Sequence, residues 1–417
     1  MAQFSTQTAP NGLGVHRIAL PGTRATTILV AFDAGARTEH EAENGMAHFL
    51  EHLVFKGGEI YDDYRKVNET AERMGGSLNA YTSHDLVAFH ITVRAESALP
   101  AMDLLTDFVG RPKLDQEELD KERGVVIQEI QRYKDQPASV ASELIERAGF
   151  GNHPLGRTVL GPEEHLRTFT RDAIVAFRER RWSGLSGGAF IVGNLDHVPA
   201  NGEVLDLMDR FPALPEPEAA AAADPFDPQI LIEERETNQS HLRMLYRLDL
   251  ASGDAAERAA FDIYATLLGG SMGSRLFDEI REQRGLAYSV SAGSYAGRDV
   301  AALHVGAGLD STKCVEAYQR MREIIAELHR DGPREEEVER ARAYAAGRRV
   351  LGFESTNAVA SFAARRTIDY RQPADPDDAI AELDRVTFDD VVEIARRIDP
   401  ETLAVACVGP HSPADFA

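Results

Sequence analysis

Two histidines and a glutamate stand together in His48-Phe49-Leu50-Glu51-His52, an H-x-x-E-H element that inverts the order of the common zinc-protease motif. Imidazole nitrogens ligate Zn²⁺ and a nearby carboxylate can take a proton from water, so the chemistry on offer is metal-assisted hydrolysis. The surrounding residues are patterned as a helix: Met46, Phe49, Leu50 and Leu53 recur at i, i+3, i+4 and i+7 and form an apolar stripe. On that helix His48 and His52 lie one turn apart and share a face, so both rings can reach one ion. Glu51 projects from the same side. Taken alone, a five-residue pattern fits ordinary surface or core histidines equally well.

A zinc site needs a third protein ligand from elsewhere in the chain. The stretch Glu117 to Ile130, EELDKERGVVIQEI, reads as a helix ending before Pro137. Glu122 and Glu129 are seven residues apart, so they share a face and lie about 10 Å apart along the axis. One could bind metal while the other holds a histidine N–H. Spacing does not say which, nor does it separate either from a solvated glutamate on a charged helix.

HFLEHLVFKG at 48–57, followed by GGSLNAYTSHD at 75–85, resembles the pitrilysin/insulysin family of zinc peptidases, the inverzincins. The similarity is greatest to the short-chain branch typified by mitochondrial processing peptidase. The family's third ligand is a glutamate well beyond the second histidine; Glu129 stands at the matching position, 77 residues after His52. The resemblance therefore implies one Zn²⁺ per chain on His48, His52 and Glu129, with Glu51 as the proton carrier and Glu122 orienting a ligand histidine. It implies that the strand at Asn79 and Ala80 pairs with the backbone of a peptide substrate, where the residues alone read as an ordinary strand start. SRLFDEIREQRGLAY at 274–288 is similar to the family's substrate-binding segment, whose arginine and tyrosine fall on Arg281 and Tyr288. By themselves those two read as a surface arginine and a core tyrosine. One departure is Gly58, where the family commonly has threonine.

Composition bounds the remaining classes. The 417 residues carry a net charge of −23 and 43% apolar residues, and no apolar run is long enough to span a membrane. A strongly acidic chain is a poor partner for nucleic acid and suits a cationic peptide. Met1 to Pro10 shows no basic stretch ahead of an apolar core, and Cys314 and Cys407 sit in apolar patterns as reduced thiols. A cytoplasmic protein is the expectation.

The chain reads as a duplication. TRDAIVAFRERR at 170–181 followed by AFIVGNLD at 189–196 is echoed by TFDDVVEIARRI at 387–398 followed by LAVACVGP at 403–410, and residues 79–90 are echoed at 293–304. The offsets, 217 for the helices, 216 for the strands aligned on their shared Val-Gly, and 214 for the third pair, are nearly equal. The expected domains are a metal-binding repeat over 1–212, a Pro/Ala/acid-rich linker over 213–228, and a second repeat over 229–417 bearing Arg281 and Tyr288. Strands are expected at 14–20, 26–34, 85–93, 241–250, 286–295 and 300–306. Helices are expected at 46–55, 61–74, 97–109, 116–134, 312–329 and 335–350. Pairs of strands alternating with pairs of helices predict an α+β fold with largely antiparallel sheets. At the same offset His48 and His52 fall on Asp262 and Thr266, so the second repeat cannot rebuild the histidine pair. Long-chain family members hold four repeats around a closed chamber, which implies that a two-repeat chain works as a homodimer with each site shared between protomers; a heterodimer with a degenerate partner is the alternative. The expected activity is zinc-dependent endopeptidase cleavage of short unstructured peptides such as leader peptides, presequences or degradation fragments. A silent scaffold of the same fold is the competing reading.

Overall fold

A computed structural model describes residues 3–200, 202–250, 254–372 and 374–417. The chain divides into two compact units, Met1–Ile130 with Thr158–Ala221 and Gly352–Asp377, and Gln131–Arg157 with Ala222–Leu351 and Asp378–Ala417.

Unit 1 is built on strands β1 (Gln3–Thr8), β2 (Gly14–Ala19), β3 (Ala25–Phe32), β4 (Ser77–Thr82), β5 (Val87–Arg94) and β6 (Gly187–Gly193), ordered β1-β2-β6-β3-β5-β4. Its helices are α1 (Met46–Val54), α2 (Tyr64–Arg73), α3 (Ala98–Gly110), α4 (Gln116–Lys134, through Ile130), and, beyond α5 (Pro137–Phe150), α6 (Glu163–Thr168), α7 (Arg171–Arg181) and α8 (Glu203–Met208). Helix α2 starts later than its apolar pattern suggested, because the Asp63 carboxylate accepts from Lys66 N at 2.9 Å and caps it there.

Unit 2 carries β7 (Ile230–Glu234), β8 (Gln239–Leu248), β9 (Ala287–Ala296), β10 (Ala301–Asp310) and β11 (Ala404–Gly409), ordered β7-β11-β8-β10-β9. Its further helices are α9 (Ala255–Ala265), α10 (Cys314–Asp331), α11 (Glu335–Gly352, through Leu351), and, after α12 (Thr356–Tyr370), α13 (Pro376–Arg385) and α14 (Phe388–Arg397). Among the described residues, no helix is long and apolar enough to cross a membrane.

The two sheets repeat one topology. Removing β1, the orders match strand for strand, and among the described residues the only parallel pairs are β2 with β6 and β7 with β11, at equivalent places. The duplication and the largely antiparallel α+β architecture expected from sequence are both present.

Strand β3 explains how the layers form. Its alternating residues face opposite ways: Ile28, Val30 and Phe32 enter a core with Phe49, Leu53, Phe89 and Trp182, whereas Leu29 and Ala31 pack with Val359, Ala363 and Ile368 of α12. Both faces are buried, and the strand is continuously apolar from Ile28 to Phe32. Helix α12, from the second repeat, thus completes the sheet of unit 1, anchored by Thr356 Oγ1 at 2.8 Å from Thr27 Oγ1. Helix α5, from the first repeat, does the same for unit 2: Ile145, Ala148 and Phe150 pack on Leu245, Ala302, Ala404 and Ala406. The two helices occupy equivalent positions in the repeats and are exchanged. The compact units therefore follow the sequence repeats except for these swapped segments, and the chain passes from one unit to the other at Ala221–Ala222, inside the Pro/Ala/acid-rich segment.

Candidate metal centre and substrate segment

Helix α1 buries its stripe of Met46, Phe49, Leu50 and Leu53, which turns His48 and His52 toward α4. Its start is fixed by two devices. Gly45 sits at φ 100°, where a Cβ would lie 2.5 Å from Leu160 O. The buried Glu39 carboxylate accepts from Ala47 N (2.7 Å), Gly45 N (3.0 Å) and Asn44 Nδ2 (3.0 Å). These satisfy amides that a helix start leaves open.

The ligand atoms converge. His48 Nε2 lies 3.8 Å and His52 Nε2 3.5 Å from Glu129 Oε2, and one donor atom of each of the three residues lies within 4.8 Å of the others. His52 Nδ1 donates to Glu122 Oε1 at 2.9 Å, which directs Nε2 toward Glu129. Glu122 also pairs with Lys56. The two glutamates that spacing left interchangeable are thus distinguished: Glu129 faces both histidine Nε2 atoms, and Glu122 holds the back of one ring. Two imidazoles and a carboxylate match the three-protein-ligand donor set of a catalytic zinc site.

The electrostatics follow from burial and neighbours. Burial, reinforced by His52, lowers the His48 pKa to about 3, so the ring is neutral. For His52, burial lowers the pKa but is outweighed by the hydrogen bond and charge of Glu122 and by Glu51 and Glu129, so the net shift is upward. Burial raises Glu122, yet His52 and Lys56 more than compensate and hold it below the usual carboxylate range. Glu51 moves the other way. Burial raises its pKa, with Glu129 adding to the rise and Thr82 and His52 opposing it. A raised carboxylate beside a metal set is suited to carrying a proton. Thr82 Oγ1 donates to Glu51 Oε2 at 2.5 Å and fixes the side chain.

Asn79 and Ala80 lie on β4, the free edge of the sheet, whose far end carries Thr82 against Glu51. Asn79 Oδ1 accepts from Ala80 N at 2.9 Å, so this amide is locally occupied. Gly58, the departure noted above, has a steric reason: a Cβ there would lie 2.5 Å from Asp107 Oδ2.

In unit 2, Arg281 belongs to a π-helical segment, Phe277–Gln283, a widened turn of the kind that recurs at functional sites. Its guanidinium lies 4.7 Å from the Phe277 ring centre and 5.8 Å from that of Tyr288. The structure brings the two together. Tyr288 is 82% exposed, which corrects the core reading that its residue type alone suggests. Arg275 anchors the segment through two contacts to the buried Glu337, at 2.8 and 2.7 Å. At the place matching the histidine pair, Asp262 meets Ser294 and lies 3.4 Å from Arg349.

Sequence reasoning missed Thr82, Lys56, Glu39 and Glu337. Lys56 had a readable signal, because it continues the one-turn spacing of His48 and His52. Thr82 continues the two-residue alternation from Ala80. Glu39 and Glu337 act on partners that no local period relates to them.

The chain is similar to known proteins over most of its length. Residues 15–163 match the model of insulinase, peptidase family M16, and residues 168–344 match that of the peptidase M16 inactive domain. The chain is 30% identical over 407 residues to the uncharacterized zinc protease YmxG of Bacillus subtilis, covering 97% of each. It is 30% identical over 414 residues to the uncharacterized zinc protease SCO5738 of Streptomyces coelicolor, covering 97% of this chain and 89% of the relative. Two solved structures share its fold. A peptidase M16 inactive domain from Pseudomonas fluorescens gives a TM-score of 0.89 at 18% identity, covering 98% of this chain and 99% of that one. A protease from Helicobacter pylori gives 0.85 at 19%, covering 98% and 100%. With its active-type and inactive-type halves both matched, the chain belongs to the insulinase family of peptidases, family M16.

Proposed function

We propose that this metalloprotease is a zinc-dependent endopeptidase acting on short, unstructured peptides. The observation that carries the reading is the convergence of His48 Nε2, His52 Nε2 and Glu129 Oε2 beside a buried Glu51 held by Thr82. Zn²⁺, when bound there, supplies Lewis acidity toward water and a peptide carbonyl. The chain's own residues do the rest. Glu51 accepts a proton from the attacking water and passes it to the leaving amine. Glu122 keeps the His52 tautomer and orientation. The edge strand β4 accepts an extended peptide at Asn79 and Ala80 as an added strand, the Ala80 N–H leaving Asn79 Oδ1 for the substrate, which gives affinity with loose sequence preference. Tyr288 donates toward the carbonyl oxygen as charge develops there, and Arg281 grips a neighbouring carbonyl or carboxylate.

We further propose a homodimer in which Arg281 and Tyr288 of one protomer serve the metal set of the other, within a closed chamber. The exposure of Tyr288 supports a surface role for this pair. The net charge of −23 supports cationic substrates, and two buried free thiols support a cytoplasmic location. A silent scaffold is disfavoured, because a scaffold has no use for three converging ligands and a proton carrier.

The test is mass spectrometry of a short basic peptide incubated with wild type and Glu51→Gln. Cleavage by wild type alone, with zinc content equal in both, is the expected result, and the variant should lose about 10²–10⁴-fold in rate. Equal cleavage by the two proteins would sink the mechanism. Mixing Glu51→Gln with Arg281→Ala protein should restore part of the activity; no recovery in verified mixed dimers would refute the shared site.

A further inference from the structure

Among the described residues, two trios of His, Cys, Asp or Glu bring their donor atoms within 4.8 Å of one another. One is the His48, His52 and Glu129 set. The other lies in unit 2 and has no part in the proposed reaction: Cys314, the first residue of α10; Cys407, in the middle of β11; and His411, in the turn that follows β11.

We propose that Cys314, Cys407 and His411 form a second, structural metal site that takes Zn²⁺. Two chain segments supply the donors, Cys314 from the start of α10 and Cys407 with His411 four residues further on, so the convergence of the first with the other two does not arise from a local spacing. Two thiols and an imidazole are the soft-to-borderline donors that favour zinc over calcium or magnesium. Both sulfurs are fully buried within the apolar cluster of unit 2. The imidazole is held in place: its Nε2 lies 2.7 Å from Ser240 Oγ, itself 3.0 Å from Ser311 Oγ, and the ring stands edge-on to Phe416 at 5.6 Å. Binding would release the two thiol protons and tie β11, the start of α10 and the C-terminal turn to one point. Tyr318 Oη already bonds Phe416 O at 2.8 Å in the same corner.

The test separates this site from the candidate catalytic one. The double variant His48→Ala/His52→Ala, purified with zinc present and dialysed, is analysed for metal by mass spectrometry. The expected content is about one zinc per chain, falling at least tenfold when Cys407→Ser is added. Cobalt loaded into the same double variant should give thiolate-to-metal charge-transfer absorption, a readout that keeps both cysteines and is indifferent to how Cys407→Ser folds. Cys407→Ser in the otherwise intact chain should retain Glu51-dependent peptide cleavage. A double variant without zinc or charge-transfer absorption overturns the proposal, as does zinc that persists after Cys407→Ser or a Cys314–Cys407 disulfide in the isolated protein.

Discussion

At the scale of single residues, the groups proposed to hold metal are distinct from the one proposed to move a proton. Glu122 touches no ligand atom of the trio other than through His52, so its loss should be felt in metal affinity first. Glu122→Gln is expected to weaken zinc binding about 10–100-fold, measured by competition with a chromogenic chelator. Thr82 acts on Glu51 alone. Thr82→Val should retain zinc yet lower kcat about 10–100-fold, the worth of one hydrogen bond to a charged group. Equal zinc affinity in Glu122→Gln and wild type, or an unchanged kcat in Thr82→Val, would contradict the roles given to them. The histidines and Glu51 were legible in sequence because helical spacing places them on one face. Spacing left Glu129 and Glu122 equivalent; the family resemblance gave them different parts, and in the fold Glu122 bonds His52 Nδ1 while Glu129 faces both Nε2 atoms.

At the scale of elements, each functional segment is held by a buried carboxylate. Glu39 fastens the start of α1, where Gly45 leaves no room for a side chain. Gly45→Ala is expected to destabilise unit 1 by about 1–3 kcal/mol from backbone strain, with more added by the clash at Leu160 O, read from chemical denaturation. Glu337 fastens the Arg281 segment through Arg275 and accepts from Arg334 N at 2.8 Å. Burial raises the Glu337 pKa, but the hydrogen bonds from Arg275 and Arg334 outweigh it and bring the carboxyl to about 2, from 4.5 when free. Its contribution to stability is therefore complete above pH 4.5 and is lost as pH falls toward 2. Glu337→Gln should remove that part of the acid sensitivity and cost about 2–3 kcal/mol at neutral pH, seen in denaturation curves at several pH values. An acid profile parallel to that of wild type would rule out the role.

At the scale of the whole molecule, the exchange of α5 and α12 makes each unit depend on the other half of the chain. A fragment ending at residue 221 lacks the segment Gly352–Asp377 and leaves Leu29, Ala31, Phe190 and Val192 without their cover. Such a fragment is expected to bind a hydrophobic dye and lose near-ultraviolet dichroism. Coexpression with residues 222–417 should restore both signals toward native. A fragment that folds tightly alone would show that α12 is dispensable.

The sequence alone determined the chemistry and the duplication. Ligand spacing follows helical geometry, apolar periods of two and 3.6 report which face is buried, and equal offsets report a repeated fold; all three are local or periodic signals. Tertiary structure decided which sheet each equivalent helix covers, which glutamate faces the histidines, and which buried residues hold Glu51 and Arg281. Both α5 and α12 offer a face of small and branched apolar residues that would suit either sheet. Their destinations depend on burial summed over residues far apart in the chain, a quantity that no single stretch of sequence contains.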